Sequence, residues 1–117
     1  MTDSKDLKDR TKKFAVKIIR MVDKVPRSIA TEVIARQLIR SATSIAANYR
    51  AACRGRSKAE FVAKLQIVLE ESDETQYWLE LLFELESLDR EVLQDSIQEA
   101  DELTAIFVSA LKTARSR

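Results

Sequence analysis

Four residue types are scarce or missing in this 117-residue chain, which has no histidine and only one each of glycine, proline and cysteine. Because β-rich and loop-rich folds need glycine and proline at repeated turns, their scarcity favours a helical protein. The lack of histidine excludes imidazole general bases and imidazole metal ligands. A single cysteine excludes an intramolecular disulfide and a multi-cysteine zinc site, and it suits a reducing compartment.

The formal net charge of +1 hides an uneven distribution of charge along the chain. Residues 1–58 contain 15 lysines and arginines against 5 acidic residues, a balance of +10, whereas residues 59–117 contain 5 against 14, a balance of −9. This asymmetry favours a nucleic-acid-facing surface on the first half of the chain. The alternative is that the two halves pack together as antiparallel helices and neutralise each other.

The N-terminal sequence is polar and lacks the apolar segment of a signal peptide. No apolar run in the chain approaches the ~20 residues that span a bilayer. Both observations predict a cytoplasmic protein without a membrane partner.

Apolar residues at three-four spacing predict four helices, at about 5–25, 28–54, 58–88 and 89–115. The connections between them are short, so consecutive helices should be antiparallel neighbours. The length suits one core. We therefore predict an all-α fold, an antiparallel up-down-up-down four-helix bundle, as a single domain over residues 1–117.

Capping residues separate the predicted helices. Pro26 stops the first helix, since the residue before a proline avoids helical geometry. Ser28 is a candidate N-cap for the second helix. Gly55 suits a left-handed position at its C-terminal end, and Ser57 with Glu60 has capping-box spacing before the third helix.

The third helix contains a polar turn at residues 70–75, although its Ser72 and Thr75 continue the core positions. Folding helices two and three antiparallel about the turn near Gly55 places Arg40 level with Glu71. We therefore expect a partly buried polar layer in which arginines of the second helix meet glutamates of the third. The predicted layer comprises Arg36, Gln37, Arg40, Ser41, Glu70, Glu71 and Glu74.

This polar layer is more typical of a device that fixes helix register than of an active site. Bundles that bind two metal ions use Glu-x-x-His pairs, and here arginines rather than histidines face the glutamates. The chain has no glycine-rich phosphate loop, and Cys53 has no partner base for thiolate catalysis. We expect no catalytic residue, no metal and no cofactor.

Residues 77–85 contain seven apolar residues out of nine, which is wider than one core-facing stripe. Leu79 and Leu82 continue the core positions, whereas Trp78, Leu81 and Leu85 lie on an adjacent face. An exposed apolar face of this kind is typical of a contact between subunits. The alternative is a deeply set third helix that contacts both of its neighbours.

Several stretches in this chain resemble the four-helix-bundle family that includes the 23S rRNA intervening-sequence proteins. The stretches are QLIRSATSIAANY at 37–49, SKAEF at 57–61, EESDET at 70–75 and YWLELL at 77–82. The resemblance implies a small bacterial protein with no established catalytic residues. It also implies assembly into rings of five subunits, which requires one face of a subunit to meet a different face of its neighbour.

The leading hypothesis is a non-enzymatic homo-oligomer, a pentamer by family resemblance, that contacts RNA or another nucleic acid through basic surface residues. Few aromatic residues lie among these basic positions, so sequence reading by base stacking is not expected. The alternative is a protein-interaction scaffold without a nucleic-acid ligand. The candidate phosphate contacts are Lys12, Lys13, Lys17, Arg20, Lys24 and Arg27, with Arg50, Arg54, Arg56 and Lys58 at the opposite end of the bundle.

Overall fold

A computed structural model describes residues 4–116 of the chain and the side chains of residues 6–116. Its helices are α1 (Ser4–Val22), α2 (Ile29–Cys53), α3 (Lys58–Glu84) and α4 (Arg90–Arg115). The prediction of an all-α four-helix bundle is confirmed, and each helix bound lies within a few residues of the predicted one. The first three residues and the last residue of the predicted domain lie outside the described part.

Helix α1 is amphipathic, and its apolar side packs into the core while its basic side faces solvent. Thr11 is also fully buried, and its hydroxyl donates to the carbonyl of Leu7 at 2.8 Å. The helix ends at Val22, before the predicted stop at Pro26, and turn-like hydrogen bonds continue as far as the N–H of Val25. The buried apolar residues of α1 are Leu7, Phe14, Ala15, Ile18 and Met21.

Serine N-caps begin α2 and α3, as the sequence predicts. At α2, Ser28 and Thr31 each donate a backbone N–H to the other's hydroxyl, at 2.9 and 3.1 Å. At α3, the Ser57 hydroxyl accepts from the N–H of Glu60 at 3.1 Å. The Glu60 carboxylate, however, accepts from the N–H of Arg56 instead of returning to Ser57, so only half of the predicted capping box forms.

The left-handed conformation predicted for Gly55 is wrong, because no glycine in the described chain has a positive φ. Glycine is needed at this position because other backbone atoms lie close to its Cα. A Cβ at Gly55 would lie 3.1 Å from the Ala52 carbonyl oxygen and 3.2 Å from the Phe61 nitrogen. Both neighbours are backbone atoms and cannot rotate away. A side chain here would therefore push the end of α2 from the start of α3.

The left-handed position lies instead at the end of α3, where Glu86 has φ 52°. The N–H of Ser87 reaches back to the carbonyl of Leu82 at 3.2 Å, and the N–H of Glu86 reaches Phe83 at 3.1 Å. These two bonds form a Schellman motif, which usually places glycine where this chain has glutamate. A non-glycine residue here carries backbone strain.

Small hydroxyl side chains meet in the middle of the bundle. The Thr75 hydroxyl of α3 donates to the Ser41 hydroxyl of α2 at 2.9 Å, and Ser72 and Thr104 share a hydrogen bond of 2.6 Å between α3 and α4. Ser41, Ser72 and Thr75 are fully buried. In the described part of the chain, no buried side-chain nitrogen or oxygen lacks a hydrogen-bond partner.

Helices α2 and α3 form the most extensive helix pair, and α1 packs mainly against α2, with much less contact to α4. Contacts between α3 and α4 follow an antiparallel order, since Gln66 meets Arg115 and Gln76 meets Asp101. The weak α1–α4 contact leaves an open groove between the first and last helices.

Candidate nucleic-acid interface

Four of the predicted phosphate contacts form a single row along α1 and the turn after it. Lys13, Lys17 and Arg20 are separated by four and three positions on α1, so they project within about 60° of one another around the helix. Lys24 follows in the turn just after the end of α1. All four side chains are exposed. We call these residues the basic row.

The basic row borders a groove between α1 and α4 of about 720 Å³. The floor of this groove includes Val16 and Met21 from α1 and Leu88 and Val92 from the start of α4 and the turn before it. Lys12 also lines the groove, and Asp9 and Asp89 are its two carboxylates. The lining of the α1–α4 groove therefore combines apolar side chains with five cations and two carboxylates.

A second groove lies on the other side of α1, against α2, and has a volume of about 540 Å³. Lys8 and Lys12 of α1 face Arg50 and Arg54 of α2 across a floor formed mainly by small side chains, the two alanines at 46–47 and Thr43. Lys12 and Asp9 line both grooves, so the cationic surface passes from one groove to the other through Lys12, beside one carboxylate. Sequence reasoning missed Lys8, although it lies four residues before Lys12 on the same helix.

The remaining predicted phosphate contacts lie at the two ends of the bundle. Arg27, in the α1–α2 turn, is within 3.9 Å of the Glu32 carboxylate. Arg56 and Lys58 are exposed at the α2–α3 turn. These three residues are not brought together with the basic row.

The cations around the two grooves differ from the other arginines in their partners. Among the described residues, Arg10, Arg27 and Arg40 each form an ion pair with a glutamate. None of the basic row takes part in one. The basic row is exposed to solvent, but Lys13 and Lys17 also share another groove between α1 and α4 with the carboxylates of Asp95, Glu99 and Glu102. The acidic second half of the chain therefore lies beside part of the basic row.

Arg10 is the exception on α1, and sequence reasoning did not single out its role. Its guanidinium binds the Glu99 carboxylate through two hydrogen bonds, of 2.8 and 2.7 Å, and also donates to Glu102 at 2.9 Å. The hydrogen bonds to Glu99 contribute most to raising the pKa of Arg10. Hydrogen bonds from Gln98 first, and then from Arg10, lower the pKa of Glu102. This cluster joins α1 to α4 one turn before the first residue of the basic row.

The predicted polar layer between α2 and α3 forms at its centre. Arg40 donates to Glu71 at 3.0 Å and makes an ion pair with Glu74, while its Nε donates to the Gln37 side chain at 3.2 Å. The Trp78 indole also donates to Glu74 at 2.9 Å. That bond first, and then the Arg40 guanidinium, lowers the pKa of Glu74.

The expected burial of this layer needs correction. The Arg40 side chain is 47% exposed, and both Arg36 and Glu70 are exposed. Arg36 lines a separate surface groove near the α1–α2 turn and is not part of the cluster around Arg40. The hydroxyls beneath the cluster are fully buried and the Glu71 side chain is largely buried, whereas the long Arg40 side chain reaches past the helix contact to water.

The three residues proposed for an oligomer contact have different environments. Trp78 and Leu81 are partly buried and pack against the core, so the deeply set third helix accounts for much of their apolarity. Leu85 is more than half exposed. Sequence reasoning did not single out two exposed apolar residues of α2, Ile29 and Val33. Their side chains are 88% and 56% exposed.

The antiparallel register fixed by Arg40 and Glu74 places Val33 level with Leu81, and Ile29 level with Leu85. We call Ile29, Val33 and Leu85 the apolar patch. It lies at the end of the bundle that contains the α1–α2 and α3–α4 turns.

No chemistry-bearing cluster accompanies these surfaces within residues 6–116. No three acidic or thiol side chains in that range are arranged to hold a metal ion. Cys53 is half-buried at the end of α2 and is a free thiol. In the part of the chain that the structure describes, no helix has the length and apolarity needed to cross a membrane.

The fold and its surfaces define a class, an all-α bundle of four helices whose first helix is basic on its solvent side. Within that class, the chain belongs to the 23S rRNA-intervening sequence protein family, whose model matches residues 5–109. The family resemblance seen in the sequence motifs is thereby confirmed.

A solved structure similar to this chain is a protein of unknown function from the S23 ribosomal protein family of Bacteroides thetaiotaomicron. The two share 37% sequence identity, over 90% of this chain and 97% of that chain, with a TM-score of 0.83. The likeness therefore covers the whole bundle. No curated protein matches the chain.

Proposed function

We propose that this chain is a non-enzymatic protein that binds nucleic acid, RNA in the first instance, through the cationic surface of α1. The observation that carries the proposal is the basic row together with Lys12, exposed and free of ion pairs among the described residues. A row of cations held on one rigid helix suits contact with successive phosphates. The family description refers to 23S rRNA, which makes RNA the first ligand to test.

The two uses of arginine in this chain support the proposal. Arg10 and Arg40 form ion pairs with glutamates of neighbouring helices. Arg50 and Arg54 instead border the α1–α2 groove and have no ion pair among the described residues. Charge that served only to hold the helices together would be paired in the same way throughout. We infer that the cations without an ion pair contact a ligand outside the bundle. We also expect the protein to act in the cytoplasm.

The experiment is RNA binding measured by fluorescence anisotropy over a range of salt concentrations. Each phosphate contact contributes a log–log slope of about −0.7 for single strands. The double variant K13Q/K17Q should weaken binding and make the slope shallower by about 1.4. The charge-matched control is K64Q/K112Q, which removes two exposed lysines from α3 and α4 away from the basic row. Binding without salt dependence, or equal effects of both variants, would overturn the proposal.

We further propose that copies of the chain associate, as a ring by resemblance to the family, with the apolar patch in the contact. Ile29, Val33 and Leu85 are large aliphatic residues that a monomer leaves in water. Particle mass from analytical ultracentrifugation tests this. The wild type should be larger than a monomer at micromolar concentration, and V33E should dissociate it. The matched control V108E changes a valine of α4 outside the patch that is 48% exposed, against 56% for Val33.

The second candidate function is a protein-interaction scaffold, and the apolar patch is the observation that favours it. If the purified particle carries a bound protein and has no absorbance excess at 260 nm, the basic surface serves an acidic partner rather than nucleic acid. Salt-sensitive RNA binding that depends on the basic row would decide for the first candidate.

A further inference from the structure

The α1–α4 groove differs from the α1–α2 groove in having exposed aliphatic side chains beside its cations. Val16 and Val92 are 38% and 43% exposed, and both line the groove with the basic row. Phosphate contacts alone would not require an apolar floor. The groove therefore fits a ligand that presents both repeated negative charge and apolar surface.

The length of the basic row restricts what that ligand is. Lys13 and Arg20 are seven residues apart, about 10 Å along α1, and Lys24 follows in the turn after the helix, so one small anion could not reach every cation of the row. The cationic surface also continues over Lys12 into the α1–α2 groove. A flexible polyanion can follow that path across the crest of α1, whereas a rigid duplex or an acidic helix can occupy only one groove.

We propose that the α1–α4 groove binds single-stranded nucleic acid, with phosphates on the basic row and unstacked bases against Val16 and Val92. The proposal rests on the proposed nucleic-acid function and specifies its substrate class. A duplex keeps its base faces stacked inside, so it offers the groove phosphates, 2′-hydroxyls and base edges but no base faces. A single strand offers phosphates together with base faces, which are largely apolar. Aliphatic contacts carry no base-specific hydrogen bonds, so little sequence preference follows.

The experiment compares a labelled 12-nucleotide oligouridylate with a blunt 12-base-pair RNA duplex in anisotropy titrations. Val92→Gln should weaken oligouridylate binding by about fivefold, a smaller effect than aromatic stacking supplies, and leave duplex binding and the salt slope unchanged. Val16→Gln should act in the same way.

Each variant has a matched control of similar exposure outside the groove. Val108→Gln on α4 and Ile19→Gln on α1 replace side chains that are 48% and 42% exposed, and neither should change the affinity for either probe. Because all four positions are at the surface, thermal melting should show the same folded state in every variant.

The outcomes separate this inference from the proposed function. If K13Q/K17Q weakens both probes but V92Q and V16Q bind oligouridylate like the wild type, the groove proposal is wrong and the phosphate proposal stands. Duplex binding tighter than oligouridylate binding also overturns the groove proposal. If neither probe binds with salt dependence, both proposals fail. Binding of an acidic amphipathic peptide that V92Q and V16Q weaken, together with no oligouridylate binding by the wild type, would make the groove a protein-docking site instead.

Discussion

Arg40 of α2 donates to the Glu71 carboxylate of α3 at 3.0 Å, and the backbone carbonyl of Glu71 accepts from the Thr75 hydroxyl at 2.8 Å. The Glu71 side chain is largely buried, whereas that of Arg40 is about half exposed. The pair therefore lies at the boundary between core and solvent. Its contribution to stability should be that of a surface network and not that of a buried ion pair.

The first prediction concerns Arg40. Arg40→Ala should lower the free energy of unfolding by about 1 kcal/mol, the upper end for exposed pairs. A buried pair would cost ~3–5 kcal/mol when one partner is removed. Lys12→Ala, at an exposed position without an ion pair, should change stability by less than about 0.5 kcal/mol. Urea denaturation measures both values, and equal losses in the two variants would contradict the assignment.

Glu74 gives a prediction for pH dependence. Its pKa is lowered from 4.5 by the Trp78 indole first and then by Arg40, so the folded chain binds this proton less readily than the unfolded chain. The stabilisation is fully present above the ordinary pKa and is lost as the pH falls through the lowered one. Glu74→Gln should flatten the decline in melting temperature between about pH 5 and about pH 3.

The Trp78→Phe variant is the control for this pH effect, because phenylalanine keeps the ring contact but has no N–H to donate. It should remove the larger of the two causes and flatten the decline in part. A decline as steep in Glu74→Gln as in the wild type would show that other carboxylates carry the acid sensitivity.

Arg10 gives a prediction for the docking of α1. Arg10→Gln should cost about 1 kcal/mol, since the pair with Glu99 is bidentate but partly exposed. The loss should fall on α1, whose contact with α4 is small. Hydrogen exchange should rise selectively in α1, while Lys13→Gln leaves it unchanged. Uniform faster exchange over all four helices would contradict a local role.

Glu86 gives a prediction for stabilisation. It occupies the left-handed region at φ 52°, which costs an L-residue roughly 1–2 kcal/mol, whereas glycine adopts it freely. After the entropy that glycine adds to the unfolded chain, Glu86→Gly should raise stability by about 0.5–1 kcal/mol. Glu86→Ala removes the same charge without relieving the backbone. If alanine stabilises as much as glycine, helix-dipole electrostatics and not backbone conformation explains the effect.

Local rules predicted most of the fold from the sequence. Three-four spacing located all four helices, because apolar or small hydroxyl residues recur along one side of each helix. Ser28 and Ser57 act as N-caps, because N-capping depends on residues within one turn. The sequence also predicted that Arg40 and Glu71 lie at the same height in the bundle, because the short turn between α2 and α3 fixes the register of these two helices.

Contacts between helices that no short turn joins could not be predicted from the sequence. The contact of Arg10 with Glu99 joins α1 to α4, and no short turn between those helices sets their register. The exposure of Ile29 depends on where α2 begins relative to the other helices. Gly55 is constrained by distance to Phe61 and not by its own φ, which a propensity rule for glycine does not distinguish.

The ion pair between Arg10 and Glu99 has a consequence for how binding is measured. Added salt screens exposed ion pairs, so it weakens this pair at the same time as it weakens any phosphate contact of the cations on the same helix. A salt titration therefore reports ligand affinity and the docking of α1 together. Measuring the melting temperature at each salt concentration reports the docking of α1 separately from ligand affinity. In Arg10→Gln the ion pair with Glu99 is absent, so the salt slope of binding reports the phosphate contacts alone.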